Sequence, residues 1–108
     1  MKEIVEFFQK KQMIFKSFKP ITPKALGSRK KINLFVAVDL KGYYVTIFDI
    51  EKKSRVLQKE VEEYMLLHEN MEKYIDSKIK KKYILFKAPL CSKAKAKLEK
   101  EAWKVWEL

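Results

Sequence analysis

Residues 32–53, INLFVAVDLKGYYVTIFDIEKK, constrain the fold of this chain more than any other stretch. The side chains alternate between two faces over residues 32–40, and residues 43–51 are rich in aromatic and β-branched types, so both segments are predicted strands. Their connection is short and contains Gly42, which predicts an antiparallel hairpin. Since both faces of the hairpin are largely apolar, we expect it in the interior of a sheet that is covered on both sides.

The rest of the chain supplies elements that can pack against this hairpin. Apolar side chains at 3–4-residue spacing predict helices, and short apolar runs predict strands. In chain order these are helix 2–12, strand 13–18, the hairpin, helix 57–76, strand 83–88, helix 93–102 and strand 103–108. Residues 19–31 form an irregular arm, in which Thr22 caps one helical turn that Gly27 ends.

This element order, α-β-β-β-α-β-α-β, predicts an α/β fold class at the border with α+β. A hairpin followed by a β-α-β unit implies a small mixed β-sheet with a central antiparallel hairpin and helices on its faces. At 108 residues, we expect a single domain over residues 1–108.

The charge of the chain is large and uneven. The formal net charge is +11, yet residues 57–78 hold six acidic and three basic residues. A basic body beside an acidic helix indicates one face directed at a polyanion, although a lysine-rich surface also simply keeps a small protein soluble. A single cysteine excludes an internal disulfide. With no signal peptide or membrane-length apolar run, we expect a cytoplasmic protein without a membrane partner.

Several kinds of site are excluded by counting. One histidine and one cysteine do not make an ordinary zinc site, and two glycines do not make a glycine-rich phosphate loop. His68 lies on the apolar stripe of its predicted helix and is interpreted as a core residue rather than a catalytic base. Cys91 follows Pro89-Leu90 near a helix start, where a thiol can become acidic, but a buried structural thiol is favoured.

The order of motifs between residues 27 and 98 points to a known family. The motifs are Gly27, Ile32-Asn33-Leu34, Lys41-Gly42, residues 47–53 (IFDIEKK), Tyr64-Met65, residues 83–86 (YILF), Ala88-Pro89 and Ala94 with Leu98. This order resembles the core of the PD-(D/E)xK nuclease superfamily, and most of all the branch that contains archaeal mismatch-type and RecB-like endonucleases. The resemblance covers about two thirds of the chain.

The resemblance implies a site with two carboxylates and a lysine, in which Mg²⁺ activates water. The family's metal-binding Asp falls on Asn33, its Glu on Asp49 and its Lys on Glu51. Alternatively, Glu51 opens a shifted Glu-x-Lys motif that ends at Lys53, with Asp39 as the earlier acid. The implied catalytic set is Asn33, Asp49, Glu51 and Lys53, and the implied metal ligands are Asp49, Glu51 and Asp39. Because Asn33 carries no charge, we expect weak or absent catalysis, with Mg²⁺ as the cofactor if the protein is catalytic and none otherwise.

The length of the hairpin turn decides whether these side chains meet. A two-residue turn at Lys41-Gly42 places Asn33 opposite Ile50, and Asp49 then points to the other face. A three-residue turn places Asn33, Asp49 and Glu51 on one face, since a shift of one residue moves a side chain to the other side of a sheet. Only the second register can build a metal site; otherwise these acids merely frame the end of a strand.

Three groups of basic residues are candidate nucleic-acid contacts. They are Arg29, Lys30 and Lys31; Lys80, Lys81 and Lys82; and the helical stripe that includes Lys93, Lys97 and Lys100. If the strands that follow the first two groups run parallel, the groups meet at one edge of the sheet and track a phosphate backbone without reading sequence. The aromatic residues lie mostly at core-like positions, so base stacking is not expected of them.

Two functions from different classes follow. The first is a nucleic-acid-binding protein on a nuclease-like core, with DNA favoured over RNA by the resemblance. The second is a non-catalytic protein-interaction or small-ligand-binding module, for which a homodimer is one form, because the element order is also similar to the ribonuclease H-like fold. The His-Phe-Gly motif of the small cofactor-binding domains with that fold is absent, and strand 83–88 has no Asp.

Overall fold

The computed structural model describes residues 2–27 and 32–107 and contains one five-stranded sheet with three α-helices. The elements are α1 (Lys2–Lys10), β1 (Phe15–Ile21), a 3-10 helix (Pro23–Leu26), β2 (Asn33–Asp39), β3 (Tyr44–Glu51), α2 (Gln58–Ile75), β4 (Lys81–Lys87), α3 (Ser92–Lys100) and β5 (Trp103–Glu107). The predicted order is confirmed, and the bounds differ from the prediction by a few residues at most. The N-cap of α3 is Cys91.

The strands lie in the order β1-β2-β3-β4-β5, with β3 at the centre of the sheet. Antiparallel pairs join β1, β2 and β3, whereas β3, β4 and β5 are parallel. The sheet is therefore mixed, with the predicted hairpin inside it. Strand β1 extends through Pro20, which the sequence placed in the irregular arm; an edge strand tolerates proline because one side needs no backbone donor.

Both faces of the sheet are covered, as the apolar hairpin predicted. Helix α1 covers one face through Ile4 and Phe8, and the Phe8 ring packs edge-on against Phe15 and Trp106. Helices α2 and α3 cover the other face, where Phe48 and Trp103 lie in the core. We refer to these as the α1 face and the α2–α3 face.

The arm between β1 and β2 is held by the predicted caps. The Thr22 hydroxyl accepts a hydrogen bond from the backbone N–H of Ala25, and Pro23 begins the 3-10 helix. Gly27 ends it in the left-handed conformation, with φ of 76°. The chain from residue 28 to 31, which includes Arg29, Lys30 and Lys31, lies outside the described residues.

The β2–β3 turn consists of Leu40, Lys41 and Gly42. The backbone N–H of Gly42 donates to the Asp39 carbonyl, and the N–H of Asp39 donates to the Tyr43 carbonyl. Gly42 has φ of 89°, so it takes the left-handed position of a three-residue hairpin loop.

None of the helices in residues 2–27 and 32–107 combines the length and the apolar character that crossing a membrane requires.

Candidate functional site

The three-residue turn brings Asn33 and Asp49 together. In the β2–β3 register Asn33 lies directly opposite Asp49, so both side chains point to the α1 face. Asn33 Nδ2 donates a hydrogen bond to Asp49 Oδ2 at 3.4 Å. This is the face arrangement that the three-residue alternative required, and it excludes the pairing of Asn33 with Ile50.

Asp49 is a buried carboxylate with an incomplete set of partners. It is 5% exposed, and its Oδ1 is buried without a hydrogen bond. Burial raises the pKa of Asp49 above its usual value, while the Asn33 amide and the charge of Lys87 act in the opposite direction and the charge of Glu51 adds to the increase. A buried acceptor without a donor is costly in a structural role, so this oxygen marks the position as a candidate site.

Glu51 and Lys87 lie beside Asp49 at the same end of the sheet. Glu51 is two residues further along β3, on the same face, and is exposed. Lys87 is opposite Glu51 in the parallel β3–β4 register. The end of the sheet formed by Asn33, Asp49, Glu51 and Lys87 is called the acidic end below.

Lys87 is the member of the acidic end that sequence reasoning missed. It sits in an apolar strand, YILFKA, far along the chain from the Asp49 motif. Its position follows only from the parallel pairing of β3 with β4, which places Glu51 and Lys87 at matching ends. A signal was nevertheless present, because Lys87 is a single charge near the end of a predicted interior strand.

The two lysines that follow Glu51 have different surroundings. Lys52 forms an ion pair with Glu60 of α2, and the same carboxylate accepts a 3.4 Å hydrogen bond from the Tyr64 hydroxyl. Lys53 is exposed in the bend after β3. The shifted Glu-x-Lys motif therefore leaves its lysine beyond the strand, whereas Lys87 lies within the sheet.

Asp39 lies at the opposite end of β2 from Asn33, so the structure does not bring it to Asp49. Its Oδ1 accepts the backbone N–H groups of Lys41 and Tyr43, each at 2.9 Å. Its Oδ2 is 2.6 Å from Lys81 Nζ. The bond with Lys81 is the main reason that the pKa of Asp39 lies below its usual value. Asp39 is a turn-stabilising residue in this structure.

The strands that follow the first two basic groups do not run parallel. Strand β2 is antiparallel to β3, and β4 is parallel to β3, so β2 and β4 run in opposite directions. The start of β2 is thus at the acidic end, and Lys80, Lys81 and Lys82 are at the other end, with the β2–β3 turn. The condition under which the two clusters would share an edge is therefore not met, and Arg29, Lys30 and Lys31 themselves lie outside the described residues.

The lysine stripe of α3 runs between the two ends of the sheet. Lys97 forms an ion pair with Glu62 of α2 at 2.6 Å. Lys93 and Lys100 are exposed, and neither forms an ion pair within residues 2–27 and 32–107. At the far end of the helix, Lys82 Nζ donates to the Glu101 carbonyl and lies 5.6 Å from the centre of the Trp103 ring.

His68 fits its interpretation as a core residue, whereas Cys91 is less buried than a structural thiol was expected to be. His68 is buried against Trp103, and burial lowers its pKa to about 4, so it is neutral near pH 7. Cys91 is half-buried at the start of α3, where the backbone N–H groups of Ala94 and Lys93 lower the pKa of its thiol. Both side chains pack on the α2–α3 face, whereas Asp49 points to the α1 face.

The donors of the acidic end fit a hydrated divalent cation better than a fully protein-bound one. Among the described residues, no group of three or more His, Cys, Asp or Glu side chains is placed to hold a metal. The acidic end offers the unpartnered Asp49 oxygen and the Glu51 carboxylate. Mg²⁺ keeps several waters and is often bound through one or two carboxylates.

Solved structures with this fold include endonucleases, whereas neither a profile of any known protein family nor the sequence of any curated protein matches the chain. The EndoMS–dsDNA2 complex is 20% identical, with a TM-score of 0.53 over 99% of this chain and 43% of that one. A repair endonuclease from Pyrococcus abyssi is 21% identical, with a TM-score of 0.55 over 98% of this chain and 45% of that one. EndoMS in its apo form is 23% identical, with a TM-score of 0.52 over 99% of this chain and 45% of that one. This chain spans less than half the length of these proteins, and it has their nuclease-like α/β fold.

Proposed function

We propose that this chain is a DNA-binding protein on a nuclease-like fold, with a weak or inactive Mg²⁺-dependent nuclease site at its acidic end. The observation that carries the proposal is the buried, incompletely hydrogen-bonded Asp49 carboxylate, which lies opposite Asn33 and beside Glu51 and Lys87. The fold is similar to that of endonucleases, and one of those solved structures is a complex with double-stranded DNA, which favours DNA as the ligand.

The four residues of the acidic end divide three proposed roles among them. Asp49 and Glu51 would hold Mg²⁺, which supplies a Lewis acid for phosphoester hydrolysis when bound. Lys87 takes the role of the family's lysine in stabilising negative charge near the carboxylates, because the position of that lysine in β3 is occupied by Glu51. Asn33 orients Asp49 but adds no charge toward the cation, and this is the reason for weak or absent catalysis.

DNA binding is tested by fluorescence anisotropy with a labelled duplex at several salt concentrations. A protein of net charge +11 that contacts phosphates releases counterions, so the affinity should fall steeply as salt rises. An affinity that does not change with salt, or no binding at low salt, would contradict the proposal.

Catalysis is tested separately by cutting of a plasmid in Mg²⁺ or Mn²⁺. We expect slow cutting that requires the metal and is lost in Asp49→Ala, Glu51→Ala and Lys87→Ala. The control is Glu69→Ala, which removes an exposed carboxylate from α2 and should cut like the wild type. If the wild type binds DNA but never cuts it, the site is inactive. If Asp49→Ala cuts as fast as the wild type, the acidic end takes no part in cutting.

A non-catalytic interaction module is the second candidate function, and the outer surface of α2 favours it. Leu66 and Tyr74 are both more than half exposed on this helix, among its acidic residues. Sedimentation at moderate salt distinguishes the two functions. A salt-resistant oligomer that Leu66→Ser disrupts, together with no affinity for nucleic acid, would establish the interaction module.

A further inference from the structure

The β2–β3 turn displays large side chains to solvent at the end of the sheet opposite Asp49. Tyr43 is 62% exposed and Leu40 is 59% exposed, although the sequence pattern placed the aromatic residues mostly in the core. Ile14 is 65% exposed and lines the same open cleft of about 230 Å³ as Leu40. We call Leu40, Lys41, Gly42 and Tyr43 the hairpin tip.

The hairpin tip is fixed by its own hydrogen bonds. The Asp39 carboxylate accepts two backbone N–H groups of the tip through Oδ1 and binds Lys81 through Oδ2. Gly42 closes the turn in the left-handed conformation. The exposed ring of Tyr43 is thus presented from a preorganised backbone, which lowers the conformational entropy lost when a ligand binds.

Positive charge surrounds the exposed ring. Lys81 Nζ lies 5.9 Å from the centre of the Tyr43 ring. Lys41 and Lys80 are exposed and form no ion pair within the described part of the chain. Asp39 is the acid in contact with the tip, and Lys81 neutralises it. A ligand for this surface must therefore combine negative charge with a flat apolar group.

We propose that the hairpin tip is a stacking platform for an unpaired base of single-stranded DNA, with Tyr43 against the base and Lys41 and Lys80 near the adjoining phosphates. The proposal rests on the proposed DNA-binding function and adds a second contact surface, remote from the acidic end. Aromatic stacking combined with nearby lysines is the general means by which proteins bind single strands without reading sequence. Along a duplex the base faces are covered by stacking on their neighbours, so an unpaired base fits the exposed ring better than duplex DNA does.

The test measures binding of a fluorescein-labelled oligodeoxythymidylate of roughly 12 nucleotides, within the usual span of such sites. Tyr43→Ala should weaken binding by roughly 5- to 150-fold, which is the range expected when the aromatic side chain that stacks on one base is removed. Tyr43→Phe keeps the ring and should bind nearly like the wild type. The control is Tyr74→Ala, which removes a tyrosine of similar exposure, 57%, from the acidic helix α2, and should leave binding of the oligonucleotide unchanged.

The outcomes separate this proposal from the function on which it rests. If the wild type binds duplex DNA but Tyr43→Ala binds the oligonucleotide equally well, the stacking platform is wrong and DNA binding stands. If the wild type binds neither probe, both proposals fail. If Tyr43→Ala instead converts a dimer to a monomer in sedimentation, the hairpin tip is a contact between two copies and the stacking proposal is overturned.

Discussion

At the scale of single residues, the acidic end is a place where folding and function have opposite requirements. Asp49 is buried and its Oδ1 has no donor, although a neutral side chain of the same shape would fill this position at lower cost. Asn33 supplies a single 3.4 Å hydrogen bond to the other oxygen. A fold selected for stability alone has no need of an ionised group here.

Asp49→Asn should stabilise the fold by roughly 1 kcal/mol near pH 7, because it removes a buried charge and keeps the volume of the side chain. The pKa of Asp49 is higher in the folded state than in the unfolded state. Ionisation of Asp49 therefore lowers the free energy of unfolding, and this loss builds up as the pH rises from the unfolded-state pKa to the folded-state pKa. The advantage of the variant should therefore be largest near pH 7 and should shrink toward pH 4. Urea unfolding at several pH values measures it.

Glu51→Gln is the matched control, since Glu51 is on the same face but exposed. It should change the free energy of unfolding by less than about 0.5 kcal/mol. A less stable Asp49→Asn variant would mean that the interactions of the carboxylate with Asn33 and Lys87 outweigh the cost of its burial.

Sequence reasoning identified the acids of the site but not their surroundings. Asp49 and Glu51 were found because they end a strand, and Asn33 because it falls where the resemblance places an acid. Neither the burial of Asp49 nor the approach of Lys87 follows from local pattern, since both depend on which strand lies beside β3 and in which direction it runs.

At the scale of elements, the β2–β3 turn fixes which side chains share a face. Its three residues place Asn33 opposite Asp49, and a loop shorter by one residue would separate them. The presence of a turn could be predicted from the local sequence, because glycine at position 42 readily adopts the left-handed conformation. The direction of β4 relative to β2 follows from the hairpin together with the β-α-β crossover through α2, and the parallel arrangement that would bring the two basic clusters to one edge is absent.

Gly42→Ala should destabilise the fold by about 1 kcal/mol, because a φ of 89° disfavours any residue with a Cβ although no atom lies within 4 Å of the added carbon. Gly42→Asn should cost less, since asparagine tolerates this conformation better. Chemical unfolding of the two variants measures the difference.

Gly27→Ala provides a control at the other left-handed glycine, where φ is 76°. It should lower stability to a similar extent but leave binding of single-stranded DNA unchanged, because Gly27 is not in the hairpin tip. A Gly42→Ala variant as stable as the wild type would indicate that the turn can rearrange, and the pairing of Asn33 with Asp49 would then not depend on Gly42.

At the scale of the whole molecule, the proposed DNA-binding surfaces are separate. The hairpin tip and the acidic end are at opposite ends of the sheet, and α3 runs along the α2–α3 face between them. The longest extent of the molecule is 34 Å. One turn of B-form DNA has about the same length, so a duplex along α3 would reach from one end of the protein to the other. A single strand at the hairpin tip would lie at the end of the sheet where α3 ends, and far from Lys93 at the start of that helix.

This separation predicts that two pairs of lysines act on different ligands. Lys93→Gln with Lys100→Gln should reduce the magnitude of the salt slope for duplex DNA by roughly 1.8, or about 0.9 for each phosphate that is no longer neutralised. It should reduce the single-strand slope by about 0.7 at most, because only Lys100 lies at the end that holds the hairpin tip. Lys41→Gln with Lys80→Gln removes the same charge and should reduce the single-strand slope by roughly 1.4, with little effect on the duplex. Each double variant is the control for the other, because net charge alone would affect both ligands alike. Equal changes in all four titrations would show that the lysines act only through the overall charge of +11 and that neither surface is a defined binding site.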